Sequence, residues 1–173
     1  MKRLPEGERI VAGERFDFCI PAPSHGILKG MMTKRILVPV GRSESHATMS
    51  VVRGLARDQG SIVRLLRVLP VPELVVGPYG RPIAYVDQEM ERLTAQGLDE
   101  LMFPAAELEG VPVERVVRFG EPAKEILLEA DAFDADLIAV TTSSRSRLVS
   151  ALAPGVGERV LRQAPVPVLL LRD

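Results

Sequence analysis

The sequence predicts an α/β fold, a doubly wound parallel sheet with helices on both faces, and three observations carry that prediction. Short runs such as Ile36-Leu37-Val38 and Leu137-Ile138-Ala139-Val140 are wholly apolar, the pattern of strands buried on both faces. Amphipathic stretches with apolar residues at steps of three and four alternate with these runs, which implies right-handed crossovers. The composition agrees: 46% of residues are apolar but only 4% are aromatic and Trp is absent, so the core must be made of Val, Leu, Ile and Ala.

Taken in order, residues 1 to 30 have neither helical nor strand periodicity and carry scattered Gly and Pro around Phe16-Asp17-Phe18-Cys19-Ile20. Residues 1–32 are expected to be a poorly ordered arm. Met31-Met32 stands just before the first strand, so a start assigned too far upstream and a genuine flexible extension are both open readings. One domain is expected to fill residues 33–173. Arg35 to Val40 reads as its first strand, ended by Gly41. Ser43 can cap the following helix, with Ala47, Val51 and Leu55 on one face and Thr48, Val52 and Ala56 beside them. Gly60 stops that helix, and Ser61 to Leu69 is the second strand, completing a β-α-β unit.

Pro72 to Pro82 reads as a loop. Ile83, Val86, Met90, Leu93, Gly97 and Leu101 then mark a long helix, which Pro104 should kink or divide. Val113 to Phe119 is the third strand, and Gly120-Glu121-Pro122 places Pro at the first position of a helix that turns Ala123, Ile126, Leu127 and Ala130 inward. Asp136 to Val140 is the fourth strand and Val166 to Leu171 the last, joined by a polar loop and a short helix through Val156, Val160 and Leu161. Asp131, Asp134 and Asp136 read as the solvated boundary between helix and strand.

Several functions are disfavoured at this level. The net charge of −1 gives no support to nucleic-acid binding, and no run approaches the roughly 18 apolar residues that span a bilayer. A charged beginning does not suit a secretory leader, and the single Cys19 forms neither an internal disulfide nor a zinc cluster, so a cytoplasmic location is expected. His46 stands near a strand-end loop but has no nucleophile motif beside it, and His25 has no metal partner at a useful spacing. Walker A, G-x-G-x-x-G, HExxH and G-x-S-x-G signatures are absent. No catalytic residue, metal ligand or firm cofactor is assigned.

In an open parallel sheet a ligand sits beyond the carboxyl ends of the strands, where the winding reverses. The segments to examine therefore follow Val40, Leu69, Phe119 and Val140. Arg35-Ile-Leu-Val-Pro-Val, Gly120-Glu-Pro-Ala, Asp136-Leu-Ile, Arg145-Ser, Glu158-Arg-Val-Leu-Arg and Ala164-Pro-Val-Pro-Val-Leu-Leu occur in that order between Thr33 and Arg172. Together they resemble the universal stress protein family. The resemblance implies a five-stranded sheet of the adenine-nucleotide alpha hydrolase-like type in the order 3-2-1-4-5, a cytoplasmic location, and a homodimer paired through the last strand, here Val166, Val168, Leu169 and Leu170.

The resemblance also implies where a nucleotide would bind. Many members hold ATP through an acidic residue after the first strand and a Gly-x2-Gly-x9-Gly-(Ser/Thr) pattern after the fourth. Here the acidic position corresponds to Gly41, the early glycines to Thr141 and Ser144, and the late pair to Pro154-Gly155. The carboxylate for the ribose is lost, and side chains occupy space that glycines leave for phosphate. Gly155-Val156-Gly157 opens a helix whose N–H groups favour an anion, to which Arg145 can add donors, but a solvated turn and a tight helix entry explain the same residues more plainly. The nucleotide-site candidates are Val40, Gly41, Val68, Val140, Thr141, Ser144, Arg145, Gly155 and Val156.

The expected function is that of a non-catalytic, dimeric stress-response protein that contacts an unknown protein partner, with ATP binding weak or lost. The alternative is a member that keeps ATP or AMP through backbone contacts at Val68, Val140 and Val156. A slow nucleotide hydrolase is a third reading, against which stands the lack of a candidate base.

Overall fold

Apolar runs and amphipathic stretches fold into eight strands and five helices among the described residues, which are 10–12, 33–41, 46–73, 75–76, 82–84, 86–142 and 155–172 of a computed structural model. The strands are β1 (Ile10–Ala12), β2 (Arg35–Pro39), β3 (Ile62–Leu69), β4 (Val75–Val76), β5 (Pro82–Ala84), β6 (Val113–Phe119), β7 (Leu137–Thr142) and β8 (Val168–Arg172). The helices are α1 (His46–Gln59), α2 (Val86–Glu100), α3 (Met102–Glu107), α4 (Pro122–Phe133) and α5 (Val156–Gln163).

Six strands form one sheet in the order β1-β6-β3-β2-β7-β8, every neighbouring pair parallel. Counted from β2, the five strands of the domain run 3-2-1-4-5, the order that the resemblance implies. Successive residues of a strand point to opposite faces, and two cores result. Val38, Val63 and Leu65 pack with Met49, Val52, Leu101 and Leu108 on one face. Leu37, Leu66 and Ile138 pack with Ile126, Ala130 and Val160 on the other. Helix α1 thus covers one face and α4 the other, so the winding reverses between the neighbours β2 and β7.

Several elements differ from the sequence-based expectation. Ile10–Ala12, in a stretch without strand periodicity, pairs with Arg115 to Val117 of β6; three residues are too few to show a period. The Pro72 to Pro82 stretch contains β4, and Ile83 belongs to its antiparallel partner β5, so α2 begins at Val86. The step from Ile83 to Val86 fits a helix only by coincidence. On α1, Val51 is 49% exposed while Thr48, Met49, Val52 and Ala56 are buried, so the helix sits rotated toward Met49. Leu161 of α5 is likewise exposed and Val160 alone in that helix is buried. Strand β8 starts at Val168 rather than Val166, since Pro167 has no N–H to give a ladder.

Other features hold the layers together. Gly60, with φ of 62°, closes α1. Pro104 cannot donate to the carbonyl of Glu100, so the long helix divides at Leu101. Gly97 lies so close to β6 that a Cβ there would sit 2.9 Å from Val117 Cγ2. The acidic boundary is more than solvated: Asp134 caps α4 with φ of 53°, and Asp136 Oδ2 accepts the N–H groups of Lys34 (2.9 Å) and Arg35 (3.0 Å), anchoring β2.

Candidate functional site

The winding reversal opens two clefts at the carboxyl ends of the strands. The smaller, about 320 Å³, lies on the α4–α5 face and brings together Val40, Gly41, Val68, Val140, Thr141 and Val156. These six candidates come from three strand ends and the start of α5. Gly155 adjoins them as the N-cap of α5, in extended conformation, and supplies no side-chain cap, so the first N–H groups of that helix have no side-chain partner from the cap residue. Ser143 to Pro154, which include Ser144 and Arg145, lie outside the described residues, as does Ser43.

Strand register explains the shape of this cleft. Val40 still pairs with β3, its N–H donating to Leu66 O (2.8 Å), and Gly41 beyond it is exposed. Val40 and Val140 are buried and Thr141 is half-buried, so the walls are apolar and the polar atoms at the rim come mainly from the main chain. Across the cleft the first turn of α4 is already satisfied. The Glu121 carboxylate accepts from Lys124 N (2.9 Å) and Ala123 N (3.2 Å) and pairs with Arg159 of α5. These bonds, that to Lys124 first, hold its carboxyl below the usual glutamate value.

The larger cleft, about 640 Å³, lies on the α1–α3 face and shares Val40, Gly41, Arg67, Leu69 and Pro70 with the smaller one. Met49, Leu93, Leu101 and Phe103 make its apolar walls, and Glu100 and Glu107 bring carboxylates. Arg67 is the residue that sequence reasoning missed. It is buried near the end of β3, where NH1 donates to Val40 O (3.1 Å) and NH2 pairs with Glu100 Oε2 (2.9 Å). A basic residue between the apolar pairs Leu65-Leu66 and Val68-Leu69, two places from the end of the strand, was the available signal.

Among the described residues no group of three or more His, Cys, Asp or Glu side chains could hold a metal ion, and no helix is long and apolar enough to cross a membrane. What the site offers is an apolar slot bounded by main-chain polar groups and by one buried cation.

Comparison with known proteins matches this architecture. A universal stress protein of Thermus aquaticus is 30% identical over 145 residues, covering 82% of this chain and all of that protein. The universal stress protein UspA of Lactobacillus plantarum has a similar structure, with a TM-score of 0.61 at 21% identity, covering 83% of this chain and 100% of that one. A universal stress protein solved in complex with cAMP superposes with a TM-score of 0.60 at 16% identity, over 82% of this chain and 98% of that one. Because the universal stress protein family profile matches residues 32–172, over the same sheet whose strand ends form the clefts, this chain belongs to the universal stress protein family.

Proposed function

We propose that the chain is a non-catalytic, cytoplasmic stress-response protein that works as a homodimer and holds adenine nucleotide weakly at the smaller cleft. Gly41 carries this reading. It stands on the rim of the cleft, where family members that bind ATP have a carboxylate, and offers no side-chain acceptor for ribose hydroxyls. Thr141 also puts a side chain where the family has glycine, which narrows the approach to phosphate. The apolar walls at Val40, Val68 and Val140 still suit a flat base, and the relative solved with cAMP supports adenine nucleotide as the class.

Thermal unfolding with added ATP tests the reading. If the dissociation constant is near the millimolar range, an equal concentration of ATP stabilises by only about 0.4 kcal/mol. For a domain of this size that raises Tm by about 1 °C. A large rise at micromolar ATP, or ATP carried through purification in non-denaturing mass spectrometry, would favour the second reading, in which main-chain contacts at Val68, Val140 and Val156 hold ATP or AMP firmly.

A further inference from the structure

The two clefts meet at Arg67, and the function proposed above makes no use of it. The Arg67 side chain is 10% exposed, and its Nε is buried with no acceptor among the described residues. NH1 is bound to the carbonyl of Val40, so the guanidinium lies one residue from Gly41. Nε and a terminal nitrogen of an arginine form a planar fork that a two-oxygen anion fills with parallel bonds. Glu100 takes one tooth of that fork and leaves the other empty. It is also 42% exposed and ends α2, where a negative charge meets the negative pole of the helix, so it can be displaced into water.

The rim therefore differs from that of a site built for a ribose diol: Gly41 lacks the carboxylate, and a buried cation, held on one tooth by Glu100, stands beside it. Dinucleotide-binding folds use the same exchange, an acidic residue for ribose hydroxyls and an arginine for a ribose phosphate. Across the apolar walls, Val156 and Gly157, the first two residues of the eight-residue helix α5, line the smaller cleft.

We propose that the joined clefts select adenine nucleotides that carry a phosphate on the ribose as well as at the 5′ position. The ribose phosphate passes over Gly41 to the Nε and NH2 edge of Arg67, displacing Glu100, and the 5′-phosphate faces the start of α5. This rests on the reading that an adenine base enters the smaller cleft.

Calorimetry on the full chain with AMP, adenosine 2′,5′-bisphosphate and adenosine 3′,5′-bisphosphate tests it. One bisphosphate is expected to bind at least about tenfold tighter than AMP, the effect of one charge-assisted fork. Glu100→Gln removes the competing carboxylate at an exposed position and should tighten that bisphosphate by more than it changes AMP. Gly41→Asp should reverse the order, because its carboxylate accepts ribose hydroxyls and occupies Arg67. Arg67→Met should abolish the preference; should it fail to fold, the other two variants decide. Measurable AMP binding with neither bisphosphate tighter, in wild type and in Glu100→Gln, overturns the ribose-phosphate proposal alone. Absence of binding by all three at millimolar concentration overturns the nucleotide reading with it.

Discussion

Two arginines interrupt β3, and the pleat sends them to opposite faces. Arg67 goes to the α1–α3 side with Glu100, and Arg64 to the α4 side, where its NH1 pairs with Glu129 (2.6 Å) and its Nε and NH2 with Glu114 (2.8 and 2.5 Å). Arg118 binds the second oxygen of Glu129, whose side chain is only 3% exposed, and the Phe133 ring lies 3.9 Å from Arg64 Cζ. A carboxylate so buried is tolerable because both its oxygens are met by cations. Glu129→Gln keeps the volume but leaves two guanidinium groups without their shared counter-charge. It should lower stability by about 3 kcal/mol, read from the urea midpoint. An unchanged midpoint would show that water already compensates these charges. Replacing the pair together, Arg64→Met with Glu129→Leu, should cost less than the sum of the single changes.

At the scale of elements, α4 links the sheet to the cleft through its capped start. Glu121 accepts two N–H groups of the first turn and holds Arg159 on α5, so one carboxylate fixes the ends of both helices that flank the smaller cleft. Its folded-state carboxyl is held below the ordinary value of 4.5, chiefly by the Lys124 N–H, with burial opposing and the Ala123 N–H and Arg159 adding to the effect. A depressed carboxyl contributes stability above its unfolded value and loses it as pH falls through the folded one. Glu121→Ala should therefore lower Tm at neutral pH, and the gap to wild type should close as the solution is acidified below 4.5. Parallel Tm curves would remove Glu121 from the acid response. The same segment shows what sequence can reveal. Pro122 marked the helix start unaided, and the apolar runs of β2 and β7 needed no tertiary knowledge, because burial on both faces leaves few polar residues to confuse the pattern. Val51 and Ile83 misled because their spacing was right but their docking partners, the sheet face for α1 and the hairpin partner β4 for β5, are not written in that spacing. Val40, Gly41, Val68, Val140, Thr141 and Val156 converge because strand ends after a winding reversal must converge. Arg67 and Glu129 were hidden for the opposite reason: a charged residue reads as exposed until its partner from another element is seen.

For the whole molecule, the question is what covers the two ends of the sheet. One end carries β1, three residues long, and the other carries β8, five residues, of which Leu170 is 40% exposed. A short edge is blunt, whereas a longer apolar one invites another strand. We propose that β8 pairs antiparallel with its symmetry mate across a two-fold axis. Main-chain geometry says which residues would serve. Ile138 N donates to Pro167 O (3.1 Å) in parallel register, so the main-chain groups of Pro167, Leu169 and Leu171 turn to β7 and those of Val168 and Leu170 turn to the open edge. Pro167 therefore takes no donor from the proposed interface, and Val166, which precedes the strand, contributes only its side chain. Leu170→Pro removes a donor that β7 does not use, a position where an edge strand tolerates proline. It should leave the far-UV circular dichroism unchanged and convert the dimer to monomer in light scattering. Leu169→Pro removes a donor that β7 does use and should unfold the edge itself. Val168→Lys with Leu170→Lys, which sets two charges against their symmetry copies, should also separate the protomers. A monomeric wild type, or a Leu170→Pro chain that stays a folded, tight dimer, rejects pairing through β8 and leaves that edge to another occupant.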